Sequence, residues 1–167
     1  DIGGQDVKAV SVGDDGTVLE FAMNDKCAAG TGRFFEAMSR IFRMDLGGFS
    51  ELSLKAGKVI PVTAQCSVFA ESEVISLLAR KEPPEEIAAG IQLAVAKRCF
   101  SLLKRIGLKP QVTVTGGCAK NQGLIKALSK VIGMPVTPLT VDPQIIGALG
   151  AAVYAASLAS KRKVVSA

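Results

Sequence analysis

At 167 residues and 49% hydrophobic, the chain has the length and apolar content of one globular domain with a full core, which excludes disorder. Twenty Lys and Arg against 15 Asp and Glu give a net charge of +5, but the cations are scattered apart from Lys161-Arg162-Lys163, a run with no interleaved aromatics that reads as a solvated tail rather than a nucleic-acid contact. The chain has no His, so chemistry that needs an imidazole is excluded from its own residues.

In chain order, Asp1-Ile2 reads as a first short strand, and the sequence opens on Asp rather than Met, which suggests a piece of a longer protein. Residues 7 to 23 alternate around Gly13-Asp14-Asp15-Gly16-Thr17, a hairpin signal. The period then changes: Phe34, Phe35, Met38, Ile41 and Phe42 predict an amphipathic helix over 31–44 that starts at Gly30-Thr31-Gly32. Val59 to Val62 reads as strand-like and residues 67 to 81 as a helix, in which Glu71 and Glu73 are surface acids suited to the helix dipole. Pro83-Pro84-Glu85-Glu86 opens a long helix whose apolar stripe runs from Ile87 to Ile106. Strand, helix, strand and helix follow at 111–115, 121–132, 135–139 and 143–159. The whole is an α/β pattern, a mixed sheet with an antiparallel start and a parallel extension covered by helices on both faces.

The apolar stretch from Ile145 to Leu158 is interrupted by Gly147, Gly150 and Ser157 and is too short to span a bilayer, and no secretory leader is visible; a cytoplasmic protein without a membrane partner is expected. In a reducing compartment, four cysteines are metal ligands, reactive thiols or core residues rather than disulfides.

Two glycine pairs carry the nucleotide signal. Gly3 and Gly4 in Asp1-Ile-Gly-Gly-Gln-Asp6 lie beside a strand, flanked by acids and an amide; such a turn suits a phosphate with Mg²⁺, and it is equally the form of an ordinary tight turn. Gly116 and Gly117 end the strand that begins at Val112, at the carboxyl edge where α/β sheets bind ligands. Neither is a Walker A loop, because no Gly-Lys-Ser/Thr occurs. Among the cysteines, Cys27 and Cys66 each precede a predicted helix, whose N-terminus favours thiolates and an anionic cluster. Two ligands are too few for a [4Fe–4S] cluster unless a twofold axis doubles them, and buried structural cysteines remain the alternative. Cys99 falls in a helical apolar stripe and Cys118 beside the second glycine pair; no C-x₂-C pair and no His support zinc.

The blocks DIGGQD (1–6), NDKCAAGTGRF (24–34), CSVFAESEVISLL (66–78), TGGCAKN (115–121) and QIIGALGAA (144–152) resemble the activator ATPases of 2-hydroxyacyl-CoA dehydratases and the ATPase subunits of benzoyl-CoA reductase. The resemblance implies an ASKHA-type fold, that of actin, Hsp70 and sugar kinases (ribonuclease H-like), with ATP in a cleft between two related domains. On that likeness residues 1–167 form one such domain, the C-terminal half of a longer family member whose first phosphate hairpin has no match here. It implies Asp1 in the Mg²⁺ shell, Gln5 or Asp6 orienting the attacking water, and Gly3, Gly4, Gly30, Gly32, Gly116 and Gly117 at the nucleotide, joined by Asn121 and Gln144. It implies Cys27 and Cys66 as ligands of one [4Fe–4S] cluster bridging a homodimer. The expected function is an ATP-driven, low-potential electron donor to a CoA-ester dehydratase or reductase component, itself reduced by ferredoxin or flavodoxin. The nearest alternative on the same resemblance is an ATPase subunit that is a permanent part of a benzoyl-CoA-type reductase, and a non-redox nucleotide-binding protein with structural cysteines is the rival of a different class.

Overall fold

The computed structural model describes residues 1–25, 30–63 and 66–165, with side-chain surroundings as far as residue 160. Strands β1 (Val7–Val12) and β2 (Val18–Asn24) form an antiparallel hairpin, in register from Val7 opposite Asn24 to Ser11 opposite Glu20, with a shift before Val12 opposite Val18. Its turn is held by Asp15, whose Oδ1 accepts from the Thr17 amide at 3.0 Å and the Thr17 hydroxyl at 2.7 Å, an Asx-type bond that fixes the reversal. A short parallel pair lies elsewhere, β3 (Val112–Thr113) with β4 (Val136–Thr137). The first residues join the two. Ile2 bridges Val7 antiparallel, its amide donates to the Thr115 carbonyl at 2.9 Å, and its carbonyl accepts from the Cys118 amide at 3.2 Å. The antiparallel start and parallel extension expected from the sequence are therefore both present.

Helix α4 (Pro84–Arg105) is the central support. Pro84 sits in its first turn, Glu85 and Glu86 face the positive end of its dipole, and Lys104 and Arg105 the negative end, each favourable by a few tenths of a kcal/mol to about 1 kcal/mol. Ile87, Ile91 and Val95 are fully buried and Cys99 and Leu102 nearly so, so that this stripe meets β1, β2 and three helices. Burying each large aliphatic contributes about 1.5–3 kcal/mol. The strongest contacts are with α5 (Gln122–Ile132), through Leu124 and Leu128, and with α2 (Leu46–Leu54), through Phe49. At Gly90 the Ile60 carbonyl comes so near that an added Cβ would stand 1.8 Å from its oxygen.

One element was not expected from the sequence, and one expectation fails. Leu46–Leu54 is a helix in a stretch for which no element was expected, its Gly47-Gly48 pair being poor helix formers. Tertiary packing overrides the poor propensity: the Asp45 Oδ1 caps the Gly48 amide at 2.6 Å, and Phe49 is wedged fully buried against Phe35 and Phe42. Residues 59–62, in contrast, form no strand. Pro61 offers no donor to a ladder, and the segment is held by Ile60 N donating to the Glu86 carbonyl at 3.1 Å and by Glu73, whose carboxylate accepts from the Thr63 amide at 3.0 Å and hydroxyl at 2.9 Å. Glu73 is thus a tether and not a surface acid.

The remaining helices are α1 (Gly32–Ile41), α3 (Ser67–Ala79) and α6 (Ile146–Val165). The run 161–163 lies within α6 and not in a tail. None of the described helices is long and apolar enough to cross a membrane.

Candidate functional site

The first six residues fold into a turn closed by Gly3 N donating to the Asp6 carbonyl at 3.0 Å. Beside it lies a cavity of about 520 Å³ lined by Gly3, Gly4, Gln5, Asp6, Arg33 and Glu36. The turn thus brings four of the proposed phosphate-side residues to one opening, with Gly4 leaving open space where a side chain would stand. The Asp1 Oδ1 accepts from the Thr115 hydroxyl at 2.8 Å, which ties the first turn to the second glycine pair. Sequence reasoning missed two residues. Lys8 pairs with Asp6 and reaches Asp1 Oδ2 at 3.5 Å, setting an ammonium between the two candidate carboxylates. Arg33, paired with Glu36 at 2.7 Å, faces the same cavity. The only sequence signal for Lys8 was its place one pleat after Asp6.

The N-terminus of α1 is bonded directly to this turn. Gly32 N donates to the Gly3 carbonyl at 2.8 Å and Arg33 N to the Gly4 carbonyl at 2.9 Å. Two of the helix's otherwise unpaired amides are satisfied in this way. Gly32 is needed for the approach, since a Cβ there would lie 3.1 Å from Gly4 Cα. Gly30 takes a left-handed φ of 104° and packs over Arg98. These two glycines therefore have structural roles beside the turn. Cys27 lies outside the described residues.

Gly116 also has a left-handed φ, 85°, and a Cβ on it would stand 2.5 Å from the Ile2 carbonyl oxygen. Gly117 begins a 3₁₀ turn (Gly117–Lys120), and the Gln144 Nε2 lies 3.3 Å from where its Cβ would be. Gln144 is fastened there by Lys120, which donates to its Oε1 at 2.6 Å and to Asp142 Oδ2 at 3.0 Å. The Gln144 amide and then Lys120 hold the Asp142 carboxyl below the usual aspartate range, so this clasp is complete at neutral pH and opens only on strong acidification. The Asn121 Oδ1 is occupied by the Leu124 amide at 3.0 Å and the buried Gln92 Nε2 at 3.1 Å, which makes Asn121 the cap of α5.

Cys66 is the N-cap of α3 and is exposed. A cavity of about 900 Å³ runs from Cys66 past Gly30 to α4. An exposed thiol at the positive end of a 13-residue helix is suited in donor chemistry and electrostatics to an anionic iron–sulfur cluster, and it supplies a single ligand. Among the described residues no group of three or more His, Cys, Asp or Glu could enclose a metal. The other two described cysteines differ in kind. Burial pushes the Cys99 thiol up to about 11 and the Cys118 thiol up to about 12, the latter with its Sγ 3.8 Å from the Gly3 carbonyl beneath the turn. Because the thiolate is the reactive form, iodoacetamide should alkylate Cys66 of the metal-free folded protein at least about ten times faster than Cys99 or Cys118. Peptide mass spectrometry reads this, and rapid labelling of Cys118 before denaturation would contradict the geometry.

Two glycine turns meet where the first residues join the antiparallel and parallel strand pairs of an α/β domain, with acids and an amide around one of them. The chain belongs to the BadF/BadG/BcrA/BcrD ATPase family, whose model matches residues 1–155. It is 46% identical over 162 residues to the activator of lactoyl-CoA dehydratase from Anaerotignum propionicum, covering 97% of this chain and 62% of that one. It is 45% identical over 155 residues to the 2-hydroxyisocaproyl-CoA dehydratase activator from Clostridioides difficile, covering 93% and 58%. The solved structure of the activator of the 2-hydroxyisocaproyl-CoA dehydratase from Clostridium difficile with bound ADPNP superposes with a TM-score of 0.91 at 43% identity, covering 97% of this chain and 60% of that one. The α/β fold expected from the resemblance is thus the observed one. The chain spans about three fifths of the length of these relatives.

Proposed function

We propose that this chain is one lobe of an ATPase that drives a low-potential electron into a 2-hydroxyacyl-CoA dehydratase. In this reading Asp1 holds the Mg²⁺ shell of ATP, Gln5 or Asp6 orients the attacking water, and the amides of Gly3 and Gly4 face the phosphates, as phosphoryl transfer requires. Lys8 and Arg33 are added as cations beside the phosphates. Gly116, Gly117 and Gln144 border the nucleoside, and Gly30, Gly32 and Asn121 shape the site from behind. Cys66, with Cys27, would ligate a [4Fe–4S] cluster completed by the same two residues of a second copy. When bound, the cluster would supply a one-electron redox centre, reduced by ferredoxin or flavodoxin.

The observation that carries the reading is the pair of backbone bonds, 2.8 and 2.9 Å, from the first residues of α1 to Gly3 and Gly4. Any shift of the turn on ATP binding or hydrolysis must move α1, and α1 begins five residues after Cys27. A single rigid element then feels both the phosphates and the metal side, which is the requirement for coupling two sites. The relatives named as activators of CoA-ester dehydratases support the choice of acceptor. The test is anaerobic. The intact protein, supplied with a reductant and its dehydratase component, should switch on dehydration when MgATP is added and not when ATP is withheld. Activation that is indifferent to ATP, or ATP hydrolysis without any dehydratase activation, would overturn the proposal.

A further inference from the structure

Lys8 holds a position that stability does not explain. Its amide donates to the Asp1 carbonyl at 2.8 Å and its carbonyl accepts from the Asp1 nitrogen at 2.8 Å, the two-way exchange of a hydrogen-bonded antiparallel pair. Residues opposed in this way carry their side chains on one face of the ladder, so the register itself sets Lys8 beside Asp1. The ammonium pairs with Asp6 and stands 3.5 Å from Asp1 Oδ2, while Asp1 Oδ1 is taken up by the Thr115 hydroxyl at 2.8 Å. Asp6 in turn lines the cavity of about 520 Å³ at the phosphate turn. All three side chains are about one third exposed, and ion pairs so open to water contribute little to folding.

The two carboxylates are hard oxygen donors of the kind Mg²⁺ takes, and an ammonium already lies between them as a stand-in cation, so the residues fit a divalent ion. They do not enclose one by themselves. Among the described residues no group of three or more His, Cys, Asp or Glu could hold a metal, and Mg²⁺ is usually bound by one or two carboxylates together with substrate phosphates. We infer that Lys8 is a resident counter-ion that occupies Asp1 and Asp6 while the nucleotide site is empty and releases them when phosphate arrives, so that the metal enters with ATP and not before it. The inference rests on the reading of Asp1 as the residue that holds the Mg²⁺ of ATP. The ammonium offsets one of the two negative charges, which weakens the attraction for a free divalent ion. Its flexible four-carbon stem and three rotatable donors let it turn from the carboxylates toward an arriving phosphate with the backbone pair intact. Lys8 is therefore a positioning residue: it acts on the metal through Asp1 and Asp6, and it couples metal occupancy to nucleotide occupancy.

The test uses the intact protein freed of nucleotide, with Mn²⁺ as the probe in equilibrium dialysis. Wild-type protein should bind Mn²⁺ only weakly. Lys8→Met, which keeps the bulk of the stem without the charge, should bind it at least about ten-fold more tightly, and Lys8→Gln should show the same gain. Lys8→Arg restores the cation and should return to wild-type behaviour. Adding Asp1→Asn to Lys8→Met should abolish the gain, which places the new binding at this turn. Mg²⁺ without nucleotide should also raise the melting temperature of Lys8→Met and not that of wild type, since only the variant binds it. A lysine that merely braced the turn would lower the melting temperature when replaced and leave nucleotide-free Mn²⁺ affinity where it was. If ATP binding by Asp1→Asn depended on Mg²⁺ as fully as that of wild type, the metal reading of Asp1 would fall and this inference with it. Tight Mn²⁺ binding by nucleotide-free wild type, or equal affinity in wild type and Lys8→Met where Asp1→Asn does lose its Mg²⁺ dependence, would overturn the counter-ion role alone.

Discussion

Replacing Cys66 with serine should leave the purified protein without iron yet fully folded, with ATP-dependent electron delivery reduced by more than about a hundred-fold. The two halves of that result have separate physical causes. Cys66 is the N-cap of α3 and makes no side-chain capping bond, whereas serine is among the preferred residues at that position and gains about 0.5–1 kcal/mol by accepting from the first turn. Compared with iron-free wild-type protein, which lacks the same bound metal, that corresponds in a domain of this size to a melting temperature unchanged or higher by a few degrees. A hydroxyl is, however, a poor ligand for iron–sulfur clusters, which are held by thiolates. A stabilised, iron-free variant is the outcome that only a ligand role produces. If Cys66→Ser retained the iron of the wild type, the exposed thiol would be a bystander.

The second large effect concerns Gly116. Substitution by alanine meets two penalties at once. A φ of 85° lies in the left-handed region, which costs a non-glycine residue about 1–2 kcal/mol. The new methyl would also stand 2.5 Å from the Ile2 carbonyl oxygen and 2.9 Å from Asp1 Oδ1, atoms that cannot move without displacing the phosphate turn, which adds about 1–3 kcal/mol of overpacking. Together the loss is about 2–5 kcal/mol in chemical denaturation, accompanied by at least ten-fold weaker ATP binding. Gly133→Ala is the control. Gly133 also has a left-handed φ, 75°, but its Cβ would meet nothing within 4 Å, so it should cost about 1 kcal/mol of strain and leave ATP affinity unchanged. Equal ATP affinity in Gly116→Ala and Gly133→Ala would separate the second glycine pair from the nucleotide.

Much of this arrangement was legible in the residues, for reasons that can be named. The hairpin showed itself because Asp15 and Gly16 punctuate two alternating runs, and α4 because its apolar stripe keeps helical spacing over 22 residues behind a Pro-Glu-Glu start. The position of Cys66 at a helix start followed from the change of period after it. What stayed hidden depends on contacts distant in sequence. Leu46–Leu54 is helical because Phe49 has a cavity to fill, which no local pattern records. Lys97, Arg98 and Arg105 likewise look scattered until α4 aligns them beside Cys66. The tie between Asp1 and Thr115 spans 114 positions, and the bonds from α1 to the first turn involve only backbone atoms, so the trace they leave in the residues is Gly32, whose missing Cβ permits the approach.

The central claim is that one exposed thiol on each of two chains, with its companion Cys27, builds a shared cluster coupled to ATP. Anaerobic iron and acid-labile sulfide analysis of the intact protein, run together with its mass in solution, tests this most directly. The account predicts about four irons and four sulfides for every two chains, with the dimer lost when the metal is chelated. A folded, ATP-binding protein that is monomeric and free of iron and sulfide would contradict it.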